Sequence, residues 1–522
     1  MEHEALVMDR LRANLRVAGI PATDEDLERI EADGYVERVA EAREILAAAE
    51  MSGLPDFLSL WAPEGDSGGG VDGSTDVPTS GTPGGRAGSA SPADGAAAEP
   101  ARQAPPDGDG IPERLAEVAQ LLRRGELSPV ELAERALARV ATRDAELNLF
   151  QLVLADRALD AARRAEEEIR QGRYLGPLHG VPVAVKDLFR MKGTVTTAGS
   201  TIPQEGAADT DAAAVERLQA AGAIIVGKTR LSEFAYWPGS TNPHYGSTRN
   251  PVNPEHDAGG SSSGSTAAVA TGCVYAALGT DTGGSVRIPA ALCGVVGHKP
   301  TFGRASLAGC VPLSWSLDHV GPLTRSVEDA SLVLEVLAGH DPRDGRTRAG
   351  SDYRTPSGVR GAASGEEADL SGVRVGVMGT DGSGHELGSG AALAAWRESN
   401  ERLRERGATL VDVDLSDMHV LWRVASLTLA VEAAAYHARS LRQHYDQYGR
   451  FCRGRLVGAF AYGFDDMLRA QRVRARLRER WSRLWERCDV LSTPSQPDVA
   501  PLLGVAASTR YTNPFNALGW PA

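Results

Sequence analysis

Long apolar runs, an excess of basic residues and an apolar leader are all missing from this sequence. No run of about 18 apolar residues occurs, which argues against a membrane-spanning helix. The amino terminus, MEHEALVMDRLR, mixes both charge signs and has no apolar core, so it does not predict a secretory signal peptide. A formal net charge of −14 argues against wide non-specific binding to nucleic acid. We therefore expect a cytoplasmic protein with neither a membrane nor a nucleic acid as its direct partner.

Cysteines are few and scattered. There are five, with no C-x-x-C pair and no histidine-rich segment beside them: Cys273, Cys293, Cys310, Cys452 and Cys488. Such a set predicts free, mostly buried thiols in a reducing compartment. We expect no metal site, and we expect no cofactor.

Lysine is rarer still. Of 55 lysine and arginine residues only four are lysines, namely Lys186, Lys192, Lys228 and Lys299. A buried lysine is able to give up its proton, whereas arginine stays charged. Lysine at these places, in a chain that uses arginine everywhere else, marks candidates for a side chain that acts as a base.

Composition divides the chain into three parts. Residues 1–63 predict a small helical unit, in which Thr23 caps a helix. Residues 64–110 are glycine, serine, proline, alanine and aspartate with almost no large apolar side chain, so burial cannot offset their ordering entropy and they predict a disordered linker. The remainder, 111–522, predicts one large domain.

Strand and helix alternate in that domain. Residues 178–187 have a period of two and are apolar on both faces, which predicts a strand inside a sheet covered by helices. A helix over 210–221 and a strand over 223–226 follow. The pattern predicts an α/β layered core. Lys186 stands at the end of the first strand. Burying a lysine there is energetically unfavourable unless its amine has a functional role.

Residues 258–290 contain two glycine–serine clusters, 259–265 and 280–285, around an alanine- and valine-rich stretch. Glycine lets main-chain N–H groups converge on one point, and serine hydroxyls among such donors suit acyl transfer. The stretch Thr266–Leu278 between the clusters is apolar, which argues against a solvated linker. It predicts a buried helix between two tight turns. A phosphate-binding P-loop requires a Gly-Lys-Ser/Thr end that neither cluster has.

These clusters resemble the signature of the amidase signature family of serine hydrolases, which includes the A subunits of glutamyl-tRNA amidotransferases. The family pattern is roughly GGSSGGS, an apolar helix and GTDxGGSIRxPA. The departure is Ser263, where the family usually has glycine. The resemblance extends more thinly from about residue 113 to the end. The matching positions are Asp281, Gly283, Gly284, Ser285, Arg287, Pro289, Ala290, Cys293, Gly294, Val295, Val296, Gly297, Lys299, Pro300 and Thr301.

The resemblance implies the family's fold, a mixed central β-sheet with helices on both faces. It also implies a Ser-Ser-Lys triad, with Ser285 as the nucleophile, Ser261 as the bridging serine and Lys186, in the HGVPVAVKD strand, as the neutral base. The oxyanion hole would be formed by backbone N–H groups of Thr282, Gly283, Gly284 and Ser285. An acyl-enzyme would then yield to water or to another amine.

Other polar residues in and around these motifs are interpreted as structural. Lys228 matches a family position, and Thr229 and Glu233 are the neighbours expected to bond or pair with it. Asp318 and His319 offer a rival Ser-His-Asp chemistry, but adjacent residues of an extended stretch point to opposite faces. Asp281 and Arg287 are expected to form an ion pair, while His244 and His256 are expected to be loop histidines without a catalytic role.

The sequence thus predicts hydrolysis of a small-molecule amide, by a chain that could form a homodimer. One alternative is the glutamine-hydrolysing A subunit of an Asp/Glu-tRNA amidotransferase, with the 1–63 unit faintly similar to the small helical subunits of some amidases. Another is a catalytically inactive scaffold. The chain ends abruptly at Ala522, inside a stretch that the family continues with another strand, so we expect a truncated C-terminus.

Overall fold

The computed structural model describes residues 2–51, 112–202, 206–350, 352–355, 369–384 and 387–522. The predicted linker over 64–110 lies outside the described residues, as does the end of the predicted first unit. The helices of the described part are α1 Glu2–Ala18, α2 Asp24–Ala32, α3 Tyr35–Met51, α4 Leu115–Arg124, α5 Pro129–Leu147, α6 Ala155–Arg170, α7 Ala213–Ala220, α8 Ser263–Ala270, α9 Arg287–Cys293, α10 Val327–Leu337, α11 Gly390–Glu405, α12 Met418–His444, α13 Arg450–Gly458, α14 Phe464–Ser482 and α15 Asn513–Leu518.

Two sheets are formed. Their strands are β1 Phe150–Val153, β2 Pro182–Lys186, β3 Ile224–Thr229, β4 Ala276–Asp281, β5 Val296–Gly297, β6 His319–Thr324, β7 Arg374–Met378, β8 Thr409–Val413 and β9 Val490–Ser492. The larger sheet has the order β1-β3-β2-β4-β6-β5, and the smaller has the order β8-β7-β9. In the larger sheet β2 is parallel to β3 and β4, whereas β1, β5 and β6 run antiparallel to their neighbours. The predicted mixed sheet is therefore confirmed.

Helices cover both faces of the larger sheet because its central strands are apolar on both sides. Val183 and Val185 of β2 pack in one core with residues of α4, α7 and α10. Ala184, between them, packs in a second core with residues of α5, α6, α8 and α9. The alternation of β2 thus separates two cores, as period-two burial requires. Lys186 ends this strand and is buried along with it.

The predicted helix over Thr266–Leu278 is wrong in its second half. Helix α8 ends at Ala270, and Gly272 follows with a left-handed φ of 70°. Residues from Ala276 form β4, which pairs with both β2 and β6 in the middle of the sheet. A run that is apolar on all sides fits a buried helix and a central strand equally well, so periodicity gives no warning of the break.

The amino-terminal helices α1–α3 pack against α12–α14. Leu11 and Val39 share a core with Leu456 and Val457 of α13. Arg43 on α3 forms an ion pair of 2.7 Å with the buried carboxylate of Asp466 on α14. The boundary of this unit stays a prediction, although its helices share one apolar core with the rest of the chain. No helix in the described ranges has both the length and the apolar content needed to cross a membrane.

Candidate active site

The Lys186 amine lies at the centre of a cluster of hydroxyl groups. Its Nζ is 2.7 Å from Ser261 Oγ, 3.0 Å from Ser262 Oγ and 2.9 Å from Thr280 Oγ1. The parallel pairing of β2 with β4 places Lys186 beside Thr280, because both residues stand at the carboxyl ends of their strands. The amine is fully buried, and its nearest polar partners are hydroxyls.

Ser261 reaches this cluster from the glycine loop that precedes α8. The Gly260–Ser261 peptide bond is cis, and Gly259 has a φ of 75°. The Gly260 N–H donates to the carbonyl of Pro238 at 3.1 Å, and a Cβ on Gly260 would lie 2.0 Å from the Gly239 carbonyl oxygen. Only glycine allows this close approach of two backbones.

Burial lowers the pKa of Lys186 to about 7, while the more distant Cys310, Asp281 and Asp318 oppose the shift. Within the described part of the chain, no carboxylate oxygen lies within 4.0 Å of this amine. An amine without a counter-charge in a low-dielectric interior is most stable uncharged. At neutral pH a large fraction of Lys186 is therefore in the form that accepts a proton.

Ser285 stands next to this pair, but its hydroxyl is not bonded to it. The Ser262 N–H donates to the Ser285 carbonyl at 3.2 Å, which joins the two serine loops through their backbones. Ser285 is 8% exposed. Among the described residues its Oγ has no hydrogen-bond partner within 3.5 Å. Lys186 and Ser261 are thus brought into contact, and Ser285 is adjacent with a free hydroxyl.

The backbone forms a turn from Thr282 to Ser285, and hydrogen bonds fix most of the peptide planes in this turn. The Gly283–Gly284 peptide is held at both ends, since its carbonyl accepts Thr512 Oγ1 at 2.7 Å and its N–H donates to Asp281 Oδ1 at 2.9 Å. The Gly284 carbonyl accepts the Ile288 N–H at 2.7 Å. The Gly284 N–H, predicted as an oxyanion donor, is therefore occupied. In the described structure the N–H groups of Thr282, Gly283 and Ser285 have no acceptor.

Asp281 is the hub of this loop. Its carboxylate accepts Arg287 Nη2 at 2.8 Å, Arg287 Nε at 3.0 Å and Asn516 Nδ2 at 2.9 Å, besides the Gly284 N–H. Burial raises the pKa of Asp281, but Arg287 and the hydrogen bonds outweigh burial and hold it below its ordinary value. Asp281 and Arg287 form the expected ion pair, and it orders the loop that carries Ser285.

Helix α15 supplies residues that sequence reasoning missed. Asn516 bonds both Asp281 and Arg287, and Thr512, just before the helix, bonds the Gly283 carbonyl. Asn513 lies beside Gly283, where an added Cβ would be 3.3 Å from its carboxamide. The available signal was the set of polar side chains in the apolar segment YTNPFNALGW, which has no reason to bury them unless they are bonded.

The remaining candidates have structural partners. Lys228 pairs with Asp187 at 2.5 Å and bonds Thr196 Oγ1 at 2.8 Å, rather than Thr229 or Glu233 as expected from sequence. Burial lowers the pKa of Lys228, which Asp187 opposes. Of the loop histidines, His244 lies 2.6 Å from Glu233 and His256 lies 2.6 Å from the Ala500 carbonyl.

Asp318 and His319 do not form a relay. The Asp318 carboxylate accepts the Thr282 hydroxyl, whereas His319 Nδ1 faces the carbonyls of Leu317 and Asp281 at 2.6 and 3.2 Å. Burial raises the pKa of Asp318 to about 6, and burial lowers that of His319 well below its ordinary value. Each side chain faces its own set of partners, as the alternation of an extended chain requires.

Comparison with known proteins gives a consistent result. The family model described as Amidase matches residues 131–522. The chain is 42% identical over 405 residues to the A subunit of the glutamyl-tRNA(Gln) amidotransferase of Anaeromyxobacter dehalogenans (strain 2CP-C), covering 72% of this chain and 80% of that protein. It is also 42% identical over 425 residues to an amidase of Pseudomonas putida, covering 78% and 87%. A solved crystal structure of an amidase superposes with a TM-score of 0.68 at 36% identity, covering 78% of this chain and 91% of that one.

Gly284 and Gly283 provide a matched pair of tests for the loop geometry. Gly284 has a φ of 130°, and a Cβ there would lie 2.3 Å from Thr512 Oγ1, whereas a Cβ on Gly283 meets nothing closer than 3.3 Å. We expect Gly284→Ala to lower amide turnover by more than about 100-fold, because it displaces the backbone donors, and Gly283→Ala by less than about tenfold. Steady-state kinetics on both variants test this. Equal losses in the two variants would contradict it.

Proposed function

The chain belongs to the amidase family of amide-hydrolysing enzymes, and we propose that it cleaves a carboxylic amide C–N bond with Ser285 as the nucleophile. One observation carries the proposal. The buried Lys186 amine is held by three hydroxyl groups and by no carboxylate within the described residues. A serine hydroxyl is a weak nucleophile at neutral pH and needs a base of this kind nearby.

The hydrogen bonds around Lys186 fit an uncharged amine. A neutral amine has two N–H donors and one lone pair, so one of its three hydroxyl partners donates and two accept. The Ser262 hydroxyl already donates to the Thr280 carbonyl at 3.3 Å, which leaves its oxygen as an acceptor. We assign the second N–H to Thr280 Oγ1, so that Ser261 donates its proton to the lone pair. That orientation frees Ser261 Oγ to accept a proton from Ser285.

The reaction then proceeds in two halves. Ser285 Oγ attacks the amide carbonyl while its proton passes to Ser261 and the Ser261 proton passes to Lys186. The tetrahedral oxyanion is held by the free N–H groups of Thr282, Gly283 and Ser285, and such a donor contributes about 10²–10³ in rate. Collapse breaks the C–N bond, and the leaving amine takes a proton from Lys186 through Ser261. Water hydrolyses the resulting ester by the same relay.

The Ser285 hydroxyl has a specific task in this proposal, which is to turn toward Ser261 when substrate binds. Its lack of a hydrogen-bond partner within the described chain supports that freedom. Apo structures often hold catalytic hydrogen bonds long or unformed until the substrate complex tightens them. We propose a small-molecule amide as the substrate and water as the acyl acceptor.

A second candidate has one specific observation in its favour. A 42% identical relative is named as the A subunit of a glutamyl-tRNA(Gln) amidotransferase. On this alternative the amide is glutamine, and the ammonia passes to a partner protein. If it holds, glutaminase activity rises on adding the partner proteins, whereas a free-standing amidase hydrolyses its amide equally well alone.

A fluorophosphonate probe tests Ser285 without knowledge of the substrate, because it phosphonylates activated serine hydroxyls. We expect the full chain to be labelled on Ser285, with labelling and amide turnover reduced by about 10⁴-fold or more in Ser285→Ala. Thr324→Ser, at a buried threonine outside the site, is the matched control and should label like the wild type. A folded chain that is not labelled would instead be an inactive scaffold.

The pH dependence of kcat/KM follows from the pKa of Lys186, the proposed base. Burial brings the pKa of Lys186 to about 7, and only its neutral form accepts a proton. We therefore expect kcat/KM to rise about tenfold per pH unit below pH 7 and to level off above it. Lys186→Arg should be inactive at every pH tested, because arginine does not deprotonate. A profile that is flat from pH 5 to pH 8 would be inconsistent with a lysine base.

A further inference from the structure

A second buried carboxylate, Asp318, touches the same loop and has no part in the reaction as described. Its Oδ1 accepts the Thr282 hydroxyl at 2.6 Å and the Ser314 N–H at 3.1 Å. Its Oδ2 accepts the Leu313 N–H at 2.9 Å and the same Ser314 N–H at 3.1 Å. All the groups that contact this carboxylate donate to it, and only Thr282 belongs to the catalytic loop.

Asp318 differs from Asp281 in having no ion-pair partner among the described residues, since Arg346 acts on it only from a greater distance. In the described ranges no lysine or arginine nitrogen lies within 4.0 Å of its carboxylate. A buried carboxylate held only by neutral donors is unfavourable unless every oxygen is bonded, which the four contacts achieve. Because the Thr282 bond is short and its acceptor is a carboxylate, it is among the stronger hydrogen bonds of the site.

Thr282 is tied on its other side as well. The Asp281 carbonyl, which belongs to the same peptide unit as the Thr282 N–H, accepts Asn516 Nδ2 at 3.1 Å. In a trans peptide the carbonyl and the N–H point in opposite directions, so the Thr282 N–H is directed away from Asn516. With the carbonyl held by Asn516 and the side chain held by Asp318, the peptide plane cannot turn without breaking one of these bonds.

We propose that Asp318 is a positioning residue, which acts through the Thr282 hydroxyl to fix the Thr282 N–H as a donor in the oxyanion hole. The inference rests on the proposed Ser285 chemistry. It assigns Asp318 a part in stabilising the transition state, where sequence reasoning left it as purely structural. A donor that is already oriented loses no free energy to reorganisation when charge develops on the oxyanion.

A purely structural role makes a different prediction. If Asp318 only fixes the turn at Leu313 and Ser314, removing the Thr282 hydroxyl leaves catalysis unchanged. If Asp318 positions the donor, removing that hydroxyl slows the chemical step while leaving ligand binding near the wild-type value, and the lost buried hydrogen bond lowers the unfolding temperature in either case. The maximal rate of phosphonylation by a fluorophosphonate, kinact, and its half-saturating concentration, KI, separate these cases.

Thr282→Val removes the hydroxyl at nearly constant shape. We expect it to lower kinact by about tenfold with KI within about twofold, because the phosphonyl oxygen occupies the same hole. Thr282→Ser keeps the hydroxyl and should restore kinact to within about threefold of wild type. Thr324→Val, whose buried hydroxyl bonds the Ser326 carbonyl at 2.8 Å, is the matched control and should label at the wild-type rate.

Asp318→Asn provides an independent arm. The asparagine amide places N–H groups against at least one of the donors from Leu313, Ser314 and Thr282, so the Thr282 bond weakens. We expect a loss of kinact similar to that of Thr282→Val, and little further loss in the double variant, because both changes remove one interaction. Additive losses would overturn the inference, since they would mean that the two side chains act separately.

The outcomes separate this inference from the function on which it rests. Wild-type labelling on Ser285 with an unaffected Thr282→Val variant overturns the role of Asp318 and leaves the Ser285 chemistry standing. Equal slowing of Thr282→Val and Thr282→Ser, or a change in KI alone, overturns it as well, since neither depends on the hydroxyl bond. A wild-type chain that is not labelled on Ser285 overturns the proposed function and this inference with it.

Discussion

The burial of one amine without a counter-charge is the constraint on which the rest of the site depends. Lys186 ends a strand that is apolar on both faces, so its side chain has no path to solvent. An ammonium there would need a carboxylate, and the chain supplies hydroxyls from Ser261, Ser262 and Thr280 instead. Hydroxyls donate as well as accept, so they can satisfy a neutral amine, whose lone pair a carboxylate could not serve, while they supply no negative charge to stabilise an ammonium. The sheet and the glycine loop together therefore favour the free base.

Two buried carboxylates order the loop that carries Ser285. One is paired with a cation, and the other accepts hydrogen bonds only from neutral groups among the described residues. Asp281 is paired with Arg287, and its burial is offset by that cation and by Asn516. Asp318 has only neutral donors in the described structure, one of them Thr282. Asp281 accepts the N–H groups of Gly284 and Val286, whereas those of Thr282, Gly283 and Ser285 have no acceptor in the same described part of the chain. A loop held through some of its amides is thus able to present the others to an oxyanion.

Much of the fold follows from the sequence because its strands alternate or are flanked by helical patterns. β2 and its two buried faces were predictable from Val183, Ala184 and Val185, and so was the mixed sheet that the family resemblance implies. The central strand β4 was not, since Ala276–Asp281 is as apolar and small as the helix before it. Local sequence does not show whether a small apolar segment continues a helix or forms a central strand that pairs on both of its edges.

The candidate site could be proposed from sequence where its motifs are contiguous and not where distant segments meet. The resemblance of a glycine–serine cluster and of the strand lysine to the family motifs indicated Ser261 and Lys186, whose Oγ and Nζ atoms lie 2.7 Å apart. Thr512 and Asn516 reach the loop from more than 200 residues away, so no spacing connects them to it. The Lys228 partner was misassigned for the same reason. β3 runs parallel to β2, and this pairing places Asp187, which directly follows β2, beside Lys228 of β3.

Comparison of the three buried lysines shows why burial alone does not identify a base. Burial lowers the pKa of Lys186, Lys228 and Lys299 alike. Lys228 faces the carboxylate of Asp187, which stabilises its charged form, so its proton is retained as half of an ion pair. Lys299 donates to the carbonyls of Trp520 and Pro300, which have no proton to transfer, and the His319 ring nitrogen lies farther off, at 3.5 Å. Lys186 differs in being surrounded by hydroxyls, a kind of partner that both gives and takes a proton. The chemistry open to each lysine is therefore decided by the atoms around its amine, and of these three lysines only Lys186 has hydroxyls as its hydrogen-bond partners throughout.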